Sequence, residues 1–461
     1  MQRRRVAILA LLATTQLIGV LDFSIVNVAL PSIEREFDLP PDQLQWVVSA
    51  YALTLGGFLL LGGRMADVFD RKLVFMLGLI VFTAASLAGG LAPSANLVLI
   101  ARAVQGLGGA LLAPTALALV TAEFVERDER NRALSVFGTV AALGFTAGVI
   151  LGGALTGFAG WRSVFFVNVP IGLVALIVAG GLLRPQRREG ARPRLDLAGA
   201  IFATAAMVAL VAGLSQVTAP AGGWVRAGAL LALAVGLLAG FVAVEHSAAD
   251  PLAPLGVFRL RVLTGANVVA GLTIVVASTL AFTLTLVVQR VMGYSPQLTG
   301  LAFLPAGLGG IVGGTVAGFG VRRAGFRWTS VAALAALATG TIVVLGLGVS
   351  GSIIWLAAGY GLAGVGIVGT VVATTIAATS ALDPSRQGLA AGLLTTSQQV
   401  GGAVGAAIAG VIDAPANLSS FETSLVVAIA IATGAVAVAF ASLGAVAQPP
   451  ASAGAASGEA A

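Results

Sequence analysis

The chain has 461 residues, of which 58% are apolar and only 10% charged, with a mean hydropathy of +1.01 and a formal net charge of +6. Such a composition excludes a soluble globular domain and fits an all-α polytopic membrane protein, whose apolar runs of about 20 residues each cross a hydrocarbon core of ~30 Å as helices. No cysteine is present, which excludes disulfide staples, thiolate metal sites and cysteine chemistry. The single histidine, His246, stands beside Glu245 in a polar loop, and a metal site would want more ligands. The basic balance does not point to nucleic acid, because the basic residues follow topology and do not cluster on a face.

Taken in order, the apolar runs predict fourteen spans, beginning near Val6, Leu44, Leu73, Leu97, Ala133, Ser163, Leu197, Val225, Ala266, Thr299, Thr329, Ile353, Leu389 and Ser424. The Arg3-Arg4-Arg5 start followed by an apolar stretch resembles a signal peptide, but the run is too long and is read as an uncleaved first span. Placing the N-terminus in the cytoplasm puts twenty basic residues there, from Arg3 through Arg64, Arg71, Lys72, Arg187 and Arg192 to Arg386. Only four, Arg35, Arg162, Arg226 and Arg290, then fall outside. That asymmetry is the one the positive-inside rule demands. An even number of spans returns the C-terminus to the cytoplasm as well, and the Ala, Gly, Ser and Pro tail at 447–461 reads as disordered.

The first span carries a carboxylate where lipid should be. Asp22 lies in an apolar segment that begins at Val6, and a charge at that depth costs roughly 2.5 to 3.5 kcal/mol on insertion scales. Arg102, in the fourth span, is the only partner charge that the apolar runs offer. The first span runs outward and the fourth inward, so a rise of ~1.5 Å per residue puts both groups at similar depth in the outer half of the membrane. Pairing favours the charged carboxylate and burial the neutral one, so a change in their separation can load and unload a proton. Asn27 and Gln105 are the polar neighbours expected beside the pair. A permanent pair that only locks spans one and four together is the alternative. No second acid falls inside an apolar run, which favours substrates that are neutral or singly cationic.

An internal repeat follows from the numbering of the spans. The loop Gly62-Gly63-Arg64-Met65-Ala66-Asp67-Val68-Phe69-Asp70-Arg71-Lys72 recurs after span ten, from Gly313 to Arg323, at an offset of 251 residues. Gly144 and Gly148 of span five recur as Gly401 and Gly405 of span thirteen, at an offset of 257. Two similar offsets imply two parallel six-helix halves, with spans seven and eight inserted between them. The halves are 1–183 and 266–446, and 184–265 forms a cytoplasmic linker plus the inserted pair. Gly144, Gly148, Gly152 and Gly153 recur at helical spacing and make a strip for close backbone approach. Pro114, Pro170 and Pro305 lie within apolar runs as candidate kinks. Gly359-Tyr360-Gly361-Leu362-Ala363-Gly364 spells a dinucleotide fingerprint, but it lies in an apolar helix with no strand before it.

With these motifs in order, the chain resembles the major facilitator superfamily, and within it the fourteen-helix drug/proton antiporter family, over nearly its whole length. Leu21 to Pro31, Gly63 to Lys72, Arg102 to Ala110, Gly144 to Gly153, Trp161 to Gly172 and Thr395 to Gly402 carry the resemblance. Asp70 stands where a glycine is usual, Val68 where an arginine is usual and Val149 where the antiporter motif has its proline. The resemblance implies two six-helix bundles plus two inserted helices, and a central cavity lined by spans one, four, nine and twelve. Polar residues of span nine, namely Asn267, Thr273, Ser278, Thr283 and Gln289, are then expected to face it. The glycine strip of span five is expected against span ten. Asp67, with Gly63, Arg71 and Lys72, is expected to latch onto the N-terminus of span thirteen.

The function implied is proton-coupled export of amphipathic drugs, antibiotics or similar small molecules across a bacterial cytoplasmic membrane, by a protein working as a monomer. Nutrient uptake and lipid or envelope-precursor export by the same fold are the alternatives. No Walker loop, Ser/His/Asp set or paired acids occur in the sequence, so the expectation is a transporter and not an enzyme. It should need no cofactor or metal, act on small molecules and protons within a lipid bilayer, and bind no nucleic acid.

Overall fold

The computed structural model describes residues 3–124, 126–185, 196–217, 223–248, 251, 255–350, 353–382, 387–413 and 417–444, some of them, including Asp67 and most of 127–146, by backbone alone. The 447–461 tail and the linker arginines Arg187, Arg188, Arg192 and Arg194 lie outside the described residues. Among those described, the chain is helical and contains no strand. The helices of the first half are α1 Arg3–Phe37, α2 Trp46–Val68, α3 Arg71–Gly90, α4 Ala95–Glu123, α5 Arg127–Ala159 and α6 Asn168–Leu182. The inserted pair is α7 Leu197–Ser215 and α8 Gly223–Ser247. Then come α9 Arg261–Leu286, a continuous run Pro296–Ser350, α12 Ile353–Ser380, α13 Gln387–Ile412 and α14 Leu418–Ser442. That run is two helices, α10 over 296–324 and α11 over 326–350, because Gly325 takes φ 77° between them, a conformation that costs glycine nothing. Among the described residues a helix therefore stands at each of the fourteen predicted positions, and eleven helical segments, with the 296–346 run counted as one, are long and apolar enough to cross a membrane.

Local chemistry sets several boundaries. Asp70 accepts a hydrogen bond from the Leu73 amide at 3.1 Å and caps α3, which gives a physical role to a residue that departs from the family's glycine. Pro170 sits in the first turn of α6, where its missing N–H has no helical partner to lose. A one-turn helix, Ser163–Phe166, precedes it. A π-helical turn, Val287–Val291, ends α9.

Arg4 at the start of α1 reaches Glu123 at the end of α4 and the Leu182 carbonyl at the end of α6, each at 3.2 Å. At the other end of α1, Glu36 accepts from Trp161 Nε1 at 2.6 Å. One face of the molecule, the basic face, thus gathers the N-terminus with the ends of α4 and α6.

Helices α1 to α6 pack as one bundle, chiefly α1 on α5 and α4 on α2 and α3. Helices α9 to α14 form the second, with α9 on α13 and α14 and α12 against α10 and α11. The bundles meet along two seams, α2 with α13 and α5 with α10. Toward the face opposite the basic one they interlock. Val28 and Val149 of the first half join the core of the second, and Phe282, Leu286, Ala406 and Ala409 of the second join a core of the first. The inserted pair is peripheral. Helix α7 lies over the α2–α13 seam with Ala200 and Val211 buried against it, and α8 packs on α7 with most of its surface exposed. Gly359, Gly361 and Gly364 of α12 pack against backbone and proline atoms of α10 and α11, so the fingerprint spacing serves helix contact. His246 is exposed in the last turn of α8, not in a loop, and the adjacent Glu245 is buried.

Candidate functional site

Asp22 and Arg102 meet. Arg102 Nη1 donates to Asp22 Oδ2 at 2.5 Å, and neither side chain has any exposed surface. The other carboxylate oxygen accepts from Gln105 Nε2 and from Asn168 Nδ2, both at 2.7 Å. Gln105 accepts from Arg102 Nη1 at 2.8 Å and donates to Ser86 Oγ at 2.7 Å. Arg102 Nε donates to the Val47 carbonyl at 2.9 Å, and its guanidinium lies 4.3 Å from the centre of the Tyr51 ring. One network therefore ties α1, α2, α3, α4 and α6 together inside the first bundle. Three donors on one carboxylate offset much of its desolvation, since charge-assisted hydrogen bonds are roughly twice as strong as neutral ones.

The expected neighbours divide. Gln105 belongs to the network, whereas Asn27 donates to the Phe23 carbonyl at 2.8 Å on its own helix and takes no part in it. Asn168, Ser86 and Tyr51 are members that charge-based reading does not reveal. Asp22 is enclosed by the first bundle and does not open onto a central cavity in this conformation. The span-nine expectation is corrected for all but Gln289, which lines a cavity between the halves. Asn267 accepts from Ser397 at 3.0 Å, Ser278 donates to the Gly402 carbonyl at 2.7 Å and Thr273 donates to the Val269 carbonyl of its own helix at 2.8 Å. Asn267 and Ser278 thus fasten α9 to α13, Thr273 is satisfied within α9, and all three are buried, because an apolar environment forces polar side chains onto the nearest hydrogen-bonding partner.

The glycine strip of α5 serves two neighbours. A Cβ on Gly148 or Gly152 would lie 2.7 Å from a carbonyl of α1, Leu21 or Ile25 respectively, and one on Gly144 would crowd Leu17 and Val20 of the same helix. Only Gly153 turns to α10, where a Cβ would lie 2.6 Å from the Pro296 carbonyl. Val149 is buried, and its carbonyl lies against Gly300 of α10. In the loop motif, Arg71 Nη1 reaches the Ala118 carbonyl of α4 at 3.4 Å and Lys72 Nζ the Gly180 carbonyl of α6 at 2.7 Å. Gly63 faces Pro114. The side chain of Asp67, and with it the expected latch, lies outside the described residues.

Besides Asp22 and Glu245, a further buried acid exists, against the sequence expectation. Asp413, one residue beyond α13, is 4% exposed and accepts from Thr283 Oγ1 at 2.5 Å and Ser424 Oγ at 2.8 Å. It borders a loop in the sequence, so its burial comes from the packing of α9 and α14 around it. Farther along α9, Arg290 on the π-helical turn bonds Glu34 of α1 through Nε at 2.7 Å, and Gln289 Nε2 donates to the Val28 carbonyl at 3.0 Å. These are contacts between the two halves. They border a cavity of about 460 Å³ that Arg35, Tyr294 and Ser295 also line.

Two helix bundles joined along two seams, α2 with α13 and α5 with α10, define the architecture of a membrane carrier. The sequence pattern of the Major Facilitator Superfamily matches residues 12–406, and the chain belongs to that superfamily. It is 39% identical over 409 residues to the puromycin resistance protein pur8 of Streptomyces alboniger, covering 87% of this chain and 80% of that one. It is 39% identical over 456 residues to the cephamycin export protein CmcT of Amycolatopsis lactamdurans, covering 93% and 90%. Among solved structures, a peptide transporter POT in complex with sulfate superimposes with a TM-score of 0.69 at 19% identity, over 94% of each chain. That likeness speaks for the fold.

Proposed function

We propose that the chain is a proton-coupled exporter of antibiotic-type amphipathic small molecules, sited in a bacterial cytoplasmic membrane with its basic face in the cytoplasm. Relatives named for puromycin resistance and cephamycin export support the substrate class, and the basic-residue asymmetry supports the orientation. The observation that carries the coupling is the enclosed Asp22–Arg102 pair. Protonating Asp22 would leave Arg102 buried without a counter-ion, a strongly unfavourable state, so the guanidinium must shift. Its Nε bond to Val47 passes that shift to α2, and α2 is one side of the seam with α13, where Ser49 Oγ donates to the Ala403 carbonyl at 3.3 Å. Proton occupancy and the position of the halves are thereby linked. The halves touch through Glu34–Arg290 and Val28–Gln289 at the outer side while Asp22 accepts three hydrogen bonds as a carboxylate. This is the state expected after a proton has left toward the cytoplasm. One charge crossing 100 mV supplies about 2.3 kcal/mol and one pH unit about 1.4 kcal/mol, enough for roughly a few-hundred-fold substrate gradient.

The test is a resistance screen in an efflux-deficient bacterium, followed by reconstitution with the compound it identifies. Imposing a pH gradient should drive uptake into inside-out vesicles, and Asp22→Asn should abolish the dependence on that gradient per folded molecule. Gradient-driven transport at the wild-type rate by well-folded Asp22→Asn would exclude Asp22 as the coupling site.

A further inference from the structure

The corner where α10 turns into α11 gathers positive charge that no carboxylate balances. The run Pro296–Ser350 carries three arginines, Arg322, Arg323 and Arg327, and no acid. Arg4, Arg5, Arg102, Arg162 and Arg290 each meet a carboxylate, whereas among the described residues the three at this corner meet none. The corner is tightly folded. Gly320 of α10 faces Thr329 of α11, where a Cβ would lie 3.0 Å from the threonine Oγ1, and Gly325 reverses the chain between them. All three arginines lie within that reversal.

Two of them rest on aromatic rings. The Arg322 guanidinium lies 4.9 Å from the centre of the Phe319 ring, and that of Arg327 lies 5.2 Å from the Phe440 ring of α14. Trp328 meets Phe440 edge to face with ring centres 5.8 Å apart, and all three rings are exposed. The chain beyond α14 passes close to Arg327, since a Cβ on Gly444 would lie 3.1 Å from its Nη2. Arg327 Nε is buried and makes no hydrogen bond. A guanidinium stacked on a ring has its plane fixed while the edge of its fork stays available to an acceptor. The end of α14 lies beside the start of α9, where Gly265 faces Ser442, and the far end of α9 meets the end of α1 through Arg290 and Glu34. The corner is therefore on the basic face, at the level where helices leave the hydrocarbon and exposed tryptophan meets headgroups.

We propose that this corner binds the headgroup of an anionic phospholipid, with Arg322, Arg323 and Arg327 on the phosphate oxygens and the exposed rings against the glycerol and upper acyl chains. Phosphate oxygens suit the planar fork of arginine, and basic clusters at the cytoplasmic ends of membrane helices recognise such headgroups. A lipid of zero net charge brings its ammonium into the same corner, where three guanidinium groups repel it. Three positive charges exceed what one phosphodiester neutralises, so a lipid with two phosphates, cardiolipin, fits the corner better than one with a single phosphate. The site stands apart from the Asp22–Arg102 pair and needs only that the helices span a bilayer, so it is independent of the export reading.

The test titrates the delipidated full-length protein in neutral detergent with cardiolipin, reading bound lipid by native mass spectrometry and stability by the thermal midpoint. Cardiolipin should bind and raise the midpoint, whereas phosphatidylcholine and inorganic phosphate at the same concentration should do neither. Each arginine near a membrane surface contributes roughly fivefold in affinity, so Arg322→Gln with Arg327→Gln should bind cardiolipin about 25-fold more weakly. Arg3→Gln with Arg184→Gln removes equal charge from exposed positions elsewhere on the basic face and should bind as the parent does. Phe440→Leu keeps every charge but removes the ring under Arg327, so it should weaken binding by about two- to fivefold, and it carries the test should the Arg322 and Arg327 double variant fail to fold. Equal weakening by both arginine pairs would show attraction to charge anywhere on this face. An equal midpoint rise with inorganic phosphate would show a site for a free anion. Either result, or parental cardiolipin binding in the Arg322 and Arg327 double variant or in Phe440→Leu, would overturn the proposal.

Discussion

Arg102 Nη1 stands 2.5 Å from Asp22 Oδ2, and water touches neither side chain. Removing one member leaves the other buried and uncompensated, at a cost of about 3 kcal/mol or more. Asp22→Asn should therefore lower the thermal midpoint of the purified protein. The double variant Asp22→Asn with Arg102→Met should recover much of the loss, because no unpaired charge remains. Differential scanning fluorimetry in detergent reads both. Equal destabilisation by the single and double variants would show that shape, and not charge, sets the cost.

The α1–α5 contact makes a graded prediction. A Cβ on Gly148 would strike the Ser24 hydroxyl and lie 2.7 Å from the Leu21 carbonyl, whereas the nearest atoms to one on Gly144, a Leu17 methyl and the Leu17 carbonyl, both lie at 3.2 Å. Backbone cannot yield as a side chain can. Gly148→Ala should cost about 1–3 kcal/mol by overpacking and Gly144→Ala distinctly less, with the order of thermal midpoints as the readout. The reverse order would mean that α5 does not lie on α1 as described.

Much of the fold is legible because lipid imposes a simple rule: each crossing needs its apolar run, and charges must be accounted for. Asp22 and Arg102 could be paired from depth alone, since each is a charge in an apolar run and the two helices run in opposite directions. Asn168 and Ser86 could not, because neutral polar residues are common in such runs and carry no obligation to meet. Asp413 escapes for a different reason. It follows α13 directly and precedes Ala414 and Pro415, so it reads as the first residue of a loop, and its burial depends on Thr283, 130 residues earlier in the chain, and on Ser424 of the following helix. The destination of the α5 glycines fails similarly, since spacing shows that a helix face is smooth without showing which neighbour lies on it.

Helix α7 packs on the α2–α13 seam from outside, and Gly57 lies close against it. A Cβ there would lie 2.9 Å from the Thr204 Cβ and 3.1 Å from its Cα, so α7 itself would have to move. Gly57→Val should lower the thermal midpoint, and adding Thr204→Gly should restore part of it by removing the facing side chain. An unchanged midpoint for Gly57→Val would place α7 away from the seam.

The second half is expected to move as a unit, and this can be tested with a staple inside it. Ser278 Oγ donates to the Gly402 carbonyl at 2.7 Å and Thr279 Oγ1 to the Gly405 carbonyl at 3.1 Å. Gly401 lies against the Gly271 backbone and Gly405 against Val275, so α9 and α13 touch through backbone over several turns. Such contacts leave little room for sliding. A Cβ built on Gly271 lies 3.9 Å from the Ser397 Cβ, within the ~3.5–4.5 Å that a disulfide requires. Gly271→Cys with Ser397→Cys should cross-link on mild oxidation, with no other cysteine to compete. The oxidised and reduced forms should then export at the same rate, because a bond within a rigid half does not oppose motion between halves. Loss of export on oxidation, restored by reductant, would show that α9 and α13 part during the cycle and that the moving unit is smaller than the bundle.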